Sequence, residues 1–294
     1  MDFIRKSLFL FLFLLPNVLL AQEVAFPLPE IPSELKSPQE RADYLALHYW
    51  ERFDFGNSEL VDNKFVTEQG FVDFISIMPY VAEKRAAFCT LAGGLAGNVD
   101  MLRYFMLLAG RYLAEPESPL CNEELYIFFL ESIVEEKDTP EAFYEEAAFE
   151  LLMAKKNRVG ERANDFRFIT RSGQRVSLSK VKGEYTLLFF ADPECFLCRI
   201  TKEEVLASET ITKMVGEGRL NVLYVCLAGK SEAWKKTPAP QAWIDACDEK
   251  QTVYEKLLYD VPGLPVLYLL DADKVVLLKN ATVSQVVSFL KALP

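Results

Sequence analysis

Histidine occurs once in the 294 residues, at His48, and no second Cys-x-x-Cys accompanies Cys195–Cys198. A structural zinc site takes four ligands, so these two absences leave the cysteine pair without partners for a metal. Arg199 stands where covalent haem attachment needs a histidine, which excludes that use of the pair. Positive charge is in deficit: 32 Lys and Arg against 43 Asp and Glu give a net charge of -11. Phosphate backbones and anionic membrane surfaces repel such a chain, so no nucleic acid is expected as a partner. Past the N-terminus, no apolar run approaches the roughly 20 residues that span a bilayer. Internal repeats and low-complexity tracts are absent, and 51% of the residues are hydrophobic, so the chain reads as globular. At this length two domains are the default. No metal and no organic cofactor is implied.

The N-terminus, "MDFIRKSLFLFLFLLPNVLLAQ", has Arg5 and Lys6, an apolar run from Leu8 to Leu15, a break at Pro16 and a small residue at Ala21. That is the pattern of a signal peptide, residues 1–21, cleaved near Ala21. No cysteine follows the run, so a lipid anchor is not expected. Export changes how the six cysteines read, because an oxidising compartment favours disulfides. Cys89 and Cys121 are a candidate structural disulfide worth about 2–4 kcal/mol, with two buried free thiols as the alternative. Cys226 ends an apolar strand pattern and Cys247 ends a helical one. A structural pair, a second exchange pair and simple core packing all stay open for these two.

Residues 22–36 carry three prolines and read as an extended lead-in. "SPQE" then combines Ser37, Pro38 and Glu40 into a capping box with proline in the first turn, and predicts a helix running towards Trp50. Helical periodicity follows over Thr67–Met78, Val81–Leu95, Val99–Ala114, Asn122–Glu136 and Pro140–Lys156. No alternating run of strand length precedes residue 160, so residues 22–157 are predicted to be an all-α domain. The single histidine lies beside Tyr49 and Trp50 on an apolar helix face, which suits a packed side chain better than a ligand.

From residue 160 the pattern changes to strands alternating with helices. "DFRFIT" and "RVSL" are short strands about a turn, and "YTLLFFA", Tyr185–Ala191, is apolar enough to be covered on both faces. Cys195–Ser208 reads as a helix, "LNVLYVCLA" as a strand and "PQAWIDACD" as a helix. "PVLYLLDADKVVLLK" is a hairpin turning at "DADK", and "TVSQVVSFLKAL" is a closing helix.

This order puts Cys195 at the start of a helix that follows a buried strand. Unpaired N–H groups and the helix dipole stabilise an anion there, and the thiolate is the nucleophilic form of cysteine. Cys198 lies one turn further on the same face, placed to attack a mixed disulfide formed at Cys195. Asp192 and Glu194 set negative charge beside the pair, while Arg199 and Lys202 act the other way.

On "LLFFADPECFLC", "GQRVSLSKVKGEY" and "VPGLPVLYLLDADKVV", residues 160–294 resemble the thioredoxin superfamily, and within it the exported TlpA-like thiol-disulfide oxidoreductases. The resemblance implies an α/β thioredoxin-like domain, a central mixed sheet flanked by helices, behind the all-α one. It implies a cis-proline opposite the cysteines, for which Pro265 fits better than Pro262. It further implies that the backbone of Leu264, with Phe196 and Leu197, contacts the bound polypeptide by strand addition. Three departures stand out: Glu194 before the first cysteine, Phe196–Leu197 between the two, and Phe189 where relatives often bury an acid. The first half, through "YWERFDFGN", "PESPLCNEELYIFFLE" and "ANDFRF", is similar to a helical domain of unknown function that precedes thioredoxin domains in exported Gram-negative proteins. The implied function is a periplasmic oxidoreductase acting through Cys195 and Cys198 on cysteine-containing exported proteins or an apocytochrome. Its electrons would come from a membrane donor or a thioredoxin-type protein. The competing reading is a partner-binding module on a thioredoxin scaffold with an inert disulfide. A peroxidase using Cys195 is a third, without the threonine and arginine pattern that would activate a peroxide.

Overall fold

The computed structural model describes residues 26–293. Residues 1–21, expected from the sequence to be a signal peptide, lie outside the described residues. The first part is helical: α1 (Pro38–His48), α2 (Gln69–Ile77), α3 (Lys84–Leu95), α4 (Val99–Ala109), α5 (Glu123–Glu135) and α6 (Glu141–Ala154). The capping box lies where the sequence places it. The Ser37 hydroxyl accepts from the Glu40 N–H while the Glu40 carboxylate accepts from the Ser37 N–H. Asn98 and Asn122 cap α4 and α5 with their side-chain oxygens.

An aromatic cluster forms the core of this part. The Trp50 ring meets Phe26, Tyr49, Phe53, Phe74 and Phe105 at centroid separations of 5.0–5.5 Å, mostly edge to face, the arrangement that the ring quadrupoles favour. Phe105 is fully buried and also meets Phe71. Phe105→Ala should therefore cost about 3–5 kcal/mol, read as a lower urea midpoint with an unchanged slope. A loss below about 1 kcal/mol would mean that this cluster is not the core.

The second part is a seven-stranded sheet in the order β2-β1-β5-β4-β3-β6-β7. The strands are β1 (Arg167–Thr170), β2 (Arg175–Ser177), β3 (Tyr185–Ala191), β4 (Leu220–Cys226), β5 (Ile244–Cys247), β6 (Val266–Leu270) and β7 (Val276–Leu278). The helices are α7 (Phe196–Ala207), α8 (Glu209–Gly216), α9 (Glu232–Lys236), α10 (Thr252–Glu255) and α11 (Val283–Lys291). β3 lies between β4, parallel to it, and β6, antiparallel to it. Alternate residues of β3 feed two cores: Leu187, Phe189 and Ala191 pack under α7, α8 and α11, while Leu188 and Phe190 pack on the opposite face with Tyr259 and Tyr268. That two-sided burial is why the strand reads as unbroken apolar sequence.

The expected helix over "PQAWIDACD" is instead β5. Ile244–Cys247 pairs with β4 in parallel and with β1 antiparallel. Apolar residues at 243, 244, 246 and 247 satisfy a helical stripe as well as a short buried strand, and sheet pairing decides between the two. The helix of this crossover lies earlier, at α9, capped by Ser231. A separate α8 also follows α7, with Ser208 ending one helix and capping the next.

The two parts are tied directly. Lys279 pairs with Glu123 and donates to the Ala154 carbonyl at 2.7 Å. Asn157 Nδ2 donates to the Leu258 carbonyl at 2.8 Å, and Gln285 Nε2 to the Pro116 carbonyl at 3.1 Å.

Candidate functional site

At the end of β3 the chain turns through Asp192. Its side chain accepts from the Glu194 N–H at 2.8 Å and its carbonyl from the Cys195 N–H at 3.1 Å. This local turn, of a kind that aspartate favours, delivers Cys195 to the N-cap of α7. The Cys195 sulfur itself serves as the cap, accepting the Cys198 N–H at 3.1 Å. An orphan amide of the helix start is thus spent on the sulfur, an arrangement that suits a thiolate.

Cys198 is 1% exposed, packed among Phe189, Ala191 and Tyr224, while Cys195 is half-buried and reachable. Burial, then the contact with Cys195, pushes the Cys198 thiol up to about 12. The inner thiol is therefore held protonated and the outer one faces solvent. Phe189, where relatives bury an acid, packs its ring on Tyr224 at 5.1 Å and supplies no carboxylate. Glu203 and Glu204 are exposed on α7.

Opposite the pair, the Leu264–Pro265 peptide bond is cis. The Leu264 carbonyl lies 3.5 Å from the Cys195 sulfur, so the candidate proline and the backbone before it do face the cysteines. Pro262 lies further along the same loop and is exposed. Phe196 and Leu197, the residues between the cysteines, are 64% and 58% exposed on the first turn of α7. With Ile200 they form an apolar surface beside the reactive sulfur. Arg199 stacks over the Phe196 ring at 5.4 Å. Lys202 reaches the Pro238 carbonyl and the Tyr224 ring. Neither cation is spent on the thiols.

The remaining cysteines are free. The candidate Cys89–Cys121 bridge does not form, and both thiols are free. Cys89 on α3 sits among Arg85, Glu131 and Glu135, beside the C-terminal end of α5, whereas Cys121 immediately precedes the first turn of that helix. About twelve residues of helix, roughly 18 Å, separate these places, far beyond the reach of a disulfide. Cys226 and Cys247 are register partners on neighbouring strands, both fully buried with Ile169 and Trp234. Burial pushes their thiols up to about 11 and about 12. Cys247 thus ends a strand, not the expected helix. Two residues near the pair escaped the sequence reading: Tyr224, which floors Cys198, and Tyr254 on α10. The first lies on another strand and the second beyond two further elements, so no local spacing signals them.

A family model described as a domain of unknown function, DUF5106, matches residues 14–157. Among curated proteins none matches the chain. A solved thioredoxin-like protein from Bacteroides caccae is 32% identical, covers 92% of this chain and 99% of its own, and superposes with a TM-score of 0.77. The C-terminal domain of an uncharacterised Bacteroides fragilis protein is 35% identical over 46% of this chain and 98% of its own, with a TM-score of 0.45. The thioredoxin domain of a Bacteroides vulgatus thiol-disulfide oxidoreductase is 24% identical over 46% of this chain and 96% of its own, with a TM-score of 0.39. With two thiols at a strand–helix junction facing a cis-proline, and a solved thioredoxin-like relative that matches over 92% of the chain, the chain belongs to the thioredoxin-like proteins, with a DUF5106 region ahead of its thioredoxin-like domain.

Proposed function

We propose that the protein is a periplasmic thiol-disulfide oxidoreductase that exchanges disulfides with cysteine-containing exported proteins, an apocytochrome among the candidates. The observation that carries this reading is the asymmetry of the pair: a reachable sulfur capping α7 and a buried thiol one turn behind it. The Cys195 thiolate attacks a substrate disulfide, forms a mixed disulfide and expels one substrate thiolate, which takes a proton from water. Cys198 gives its proton to solvent and attacks the Cys195 sulfur. The second substrate thiol leaves, and a Cys195–Cys198 disulfide carries the two electrons' worth of oxidation. A membrane donor or a thioredoxin-type dithiol would restore the reduced pair. Leu264 would hold the substrate backbone by strand addition, with Phe196 and Leu197 under its apolar side chains. The N-terminal sequence supports export.

The reduction potential of the pair tests this. Equilibration with a glutathione or dithiothreitol couple, read by thiol alkylation and mass, should give a value between about -270 and -120 mV, the span of exchange enzymes. A value below about -300 mV marks an inert structural disulfide and would favour the partner-binding module instead.

A further inference from the structure

A cavity of about 640 Å³ lies between the helical part and the loop that leads to Pro265. Phe149 and Met153 of α6 form one apolar wall, and Leu257 and Val261 form the other. Phe149 is 52% exposed, a large ring kept on an open surface although α6 has a buried face available. Acidic side chains outnumber cations in the lining. Glu150 accepts the Tyr126 hydroxyl at 2.5 Å, and the Asp260 carboxylate takes no hydrogen bond among the described residues. The one cation of the lining, Lys279, is already committed to Glu123 and the Ala154 carbonyl.

The cavity adjoins the exchange site through one loop. Pro262 lines it, and two residues later Leu264 touches Cys195, a span of at most about 7 Å of chain. Tyr254 lines it as well. Burial, then the Asp192 carboxylate, raises the Tyr254 hydroxyl above its ordinary range. A polypeptide paired to the Leu264 backbone with its cysteine at Cys195 advances about 3.3 Å per residue. The cavity wall at Pro262 is therefore within the reach of its next few residues.

We propose that this cavity is a specificity subsite for the substrate polypeptide, taking an apolar side chain and a lysine or arginine that lie within about four residues of the reacting cysteine. The inference rests on the exchange reading above. The apolar walls would bury the first side chain, and Glu150 and Asp260 would pair with the second. The helical region would thereby select among the disulfides that Cys195 can reach.

The test uses the full mature chain and two peptides whose single cysteine is blocked as a thionitrobenzoate mixed disulfide. One peptide carries Phe and Lys beside the cysteine, and the other carries Ser and Glu there. Dithiobis-nitrobenzoate, which has no peptide, is the third substrate. Wild type should release thionitrobenzoate from the Phe/Lys peptide at least about tenfold faster than from the Ser/Glu peptide, the size of one exposed-to-partly-buried contact or pair. Phe149→Ser and Glu150→Gln/Asp260→Asn should each lose most of that preference and keep the dithiobis-nitrobenzoate rate. Equal rates for the two peptides in wild type, or a preference that survives both variants, would overturn the subsite and leave the exchange reading standing. If wild type fails to react with dithiobis-nitrobenzoate, the exchange reading falls and the subsite with it.

Discussion

Cys195→Ser is expected to abolish insulin-type disulfide reduction, by about a thousandfold or more, because the nucleophile and the sulfur that carries the mixed disulfide are one atom. An alkoxide is not available at neutral pH, and an oxygen at this position cannot accept the exchange. The variant is also structurally mild. Cys195 is the N-cap of α7 and its sulfur accepts the Cys198 N–H, and serine is a better cap than cysteine. The melting temperature should therefore stay within a few degrees of wild type, so that lost turnover reports chemistry alone. Turnover that persists in Cys195→Ser would remove Cys195 from the reaction and favour the binding module.

Cys198→Ala produces a different failure. Cys198 is buried among Phe189, Ala191 and Tyr224, so alanine keeps the apolar surroundings, whereas serine would bury a hydroxyl. The first attack proceeds and the second cannot. The variant should accumulate a stable mixed disulfide of one substrate per chain, visible on a non-reducing gel and by mass, while multiple turnover falls about a thousandfold. In wild type the same residue sets a pH signature. Burial is the largest cause that raises its thiol, with the contact to Cys195 second. The mixed disulfide removes the second cause and leaves the first. Below such a pKa the thiolate fraction grows about tenfold per pH unit. Resolution of the mixed disulfide, followed by stopped flow, should climb with that slope from about pH 7 to 9 without a plateau. A plateau near neutrality would mean that a base takes the Cys198 proton; Phe189 packs on Tyr224 and supplies no carboxylate, and the acid that acts on this thiol is Asp192.

Chemistry that depends on neighbours in sequence was legible from the residues alone. The capping box of Ser37 and Glu40 and the two-faced apolar run of β3 are both local signals. So is the pair Cys195–Cys198, since a buried strand and a helix start follow one another closely in sequence. Pro265 was legible only through the likeness of "VPGLPVLYLLD" to a known family; nothing in the spacing by itself points that loop at a cysteine 69 residues away. β5 was misread because Trp243, Ile244, Ala246 and Cys247 fit either period, and only hydrogen bonds to β4 and β1 choose.

The residues determined by themselves that the chain is helical first and α/β second and that its thiols stand at a helix start. The tertiary structure decided everything that needs register or a meeting of distant segments. It separated Cys89 from Cys121 by the length of α5 and seated Cys226 beside Cys247. It also walled a cavity with α6 on one side and the Pro262 loop on the other. The physical reason is range: caps, turns and periodicity act within a few residues, whereas strand pairing and cavity formation depend on how the whole apolar surface is buried.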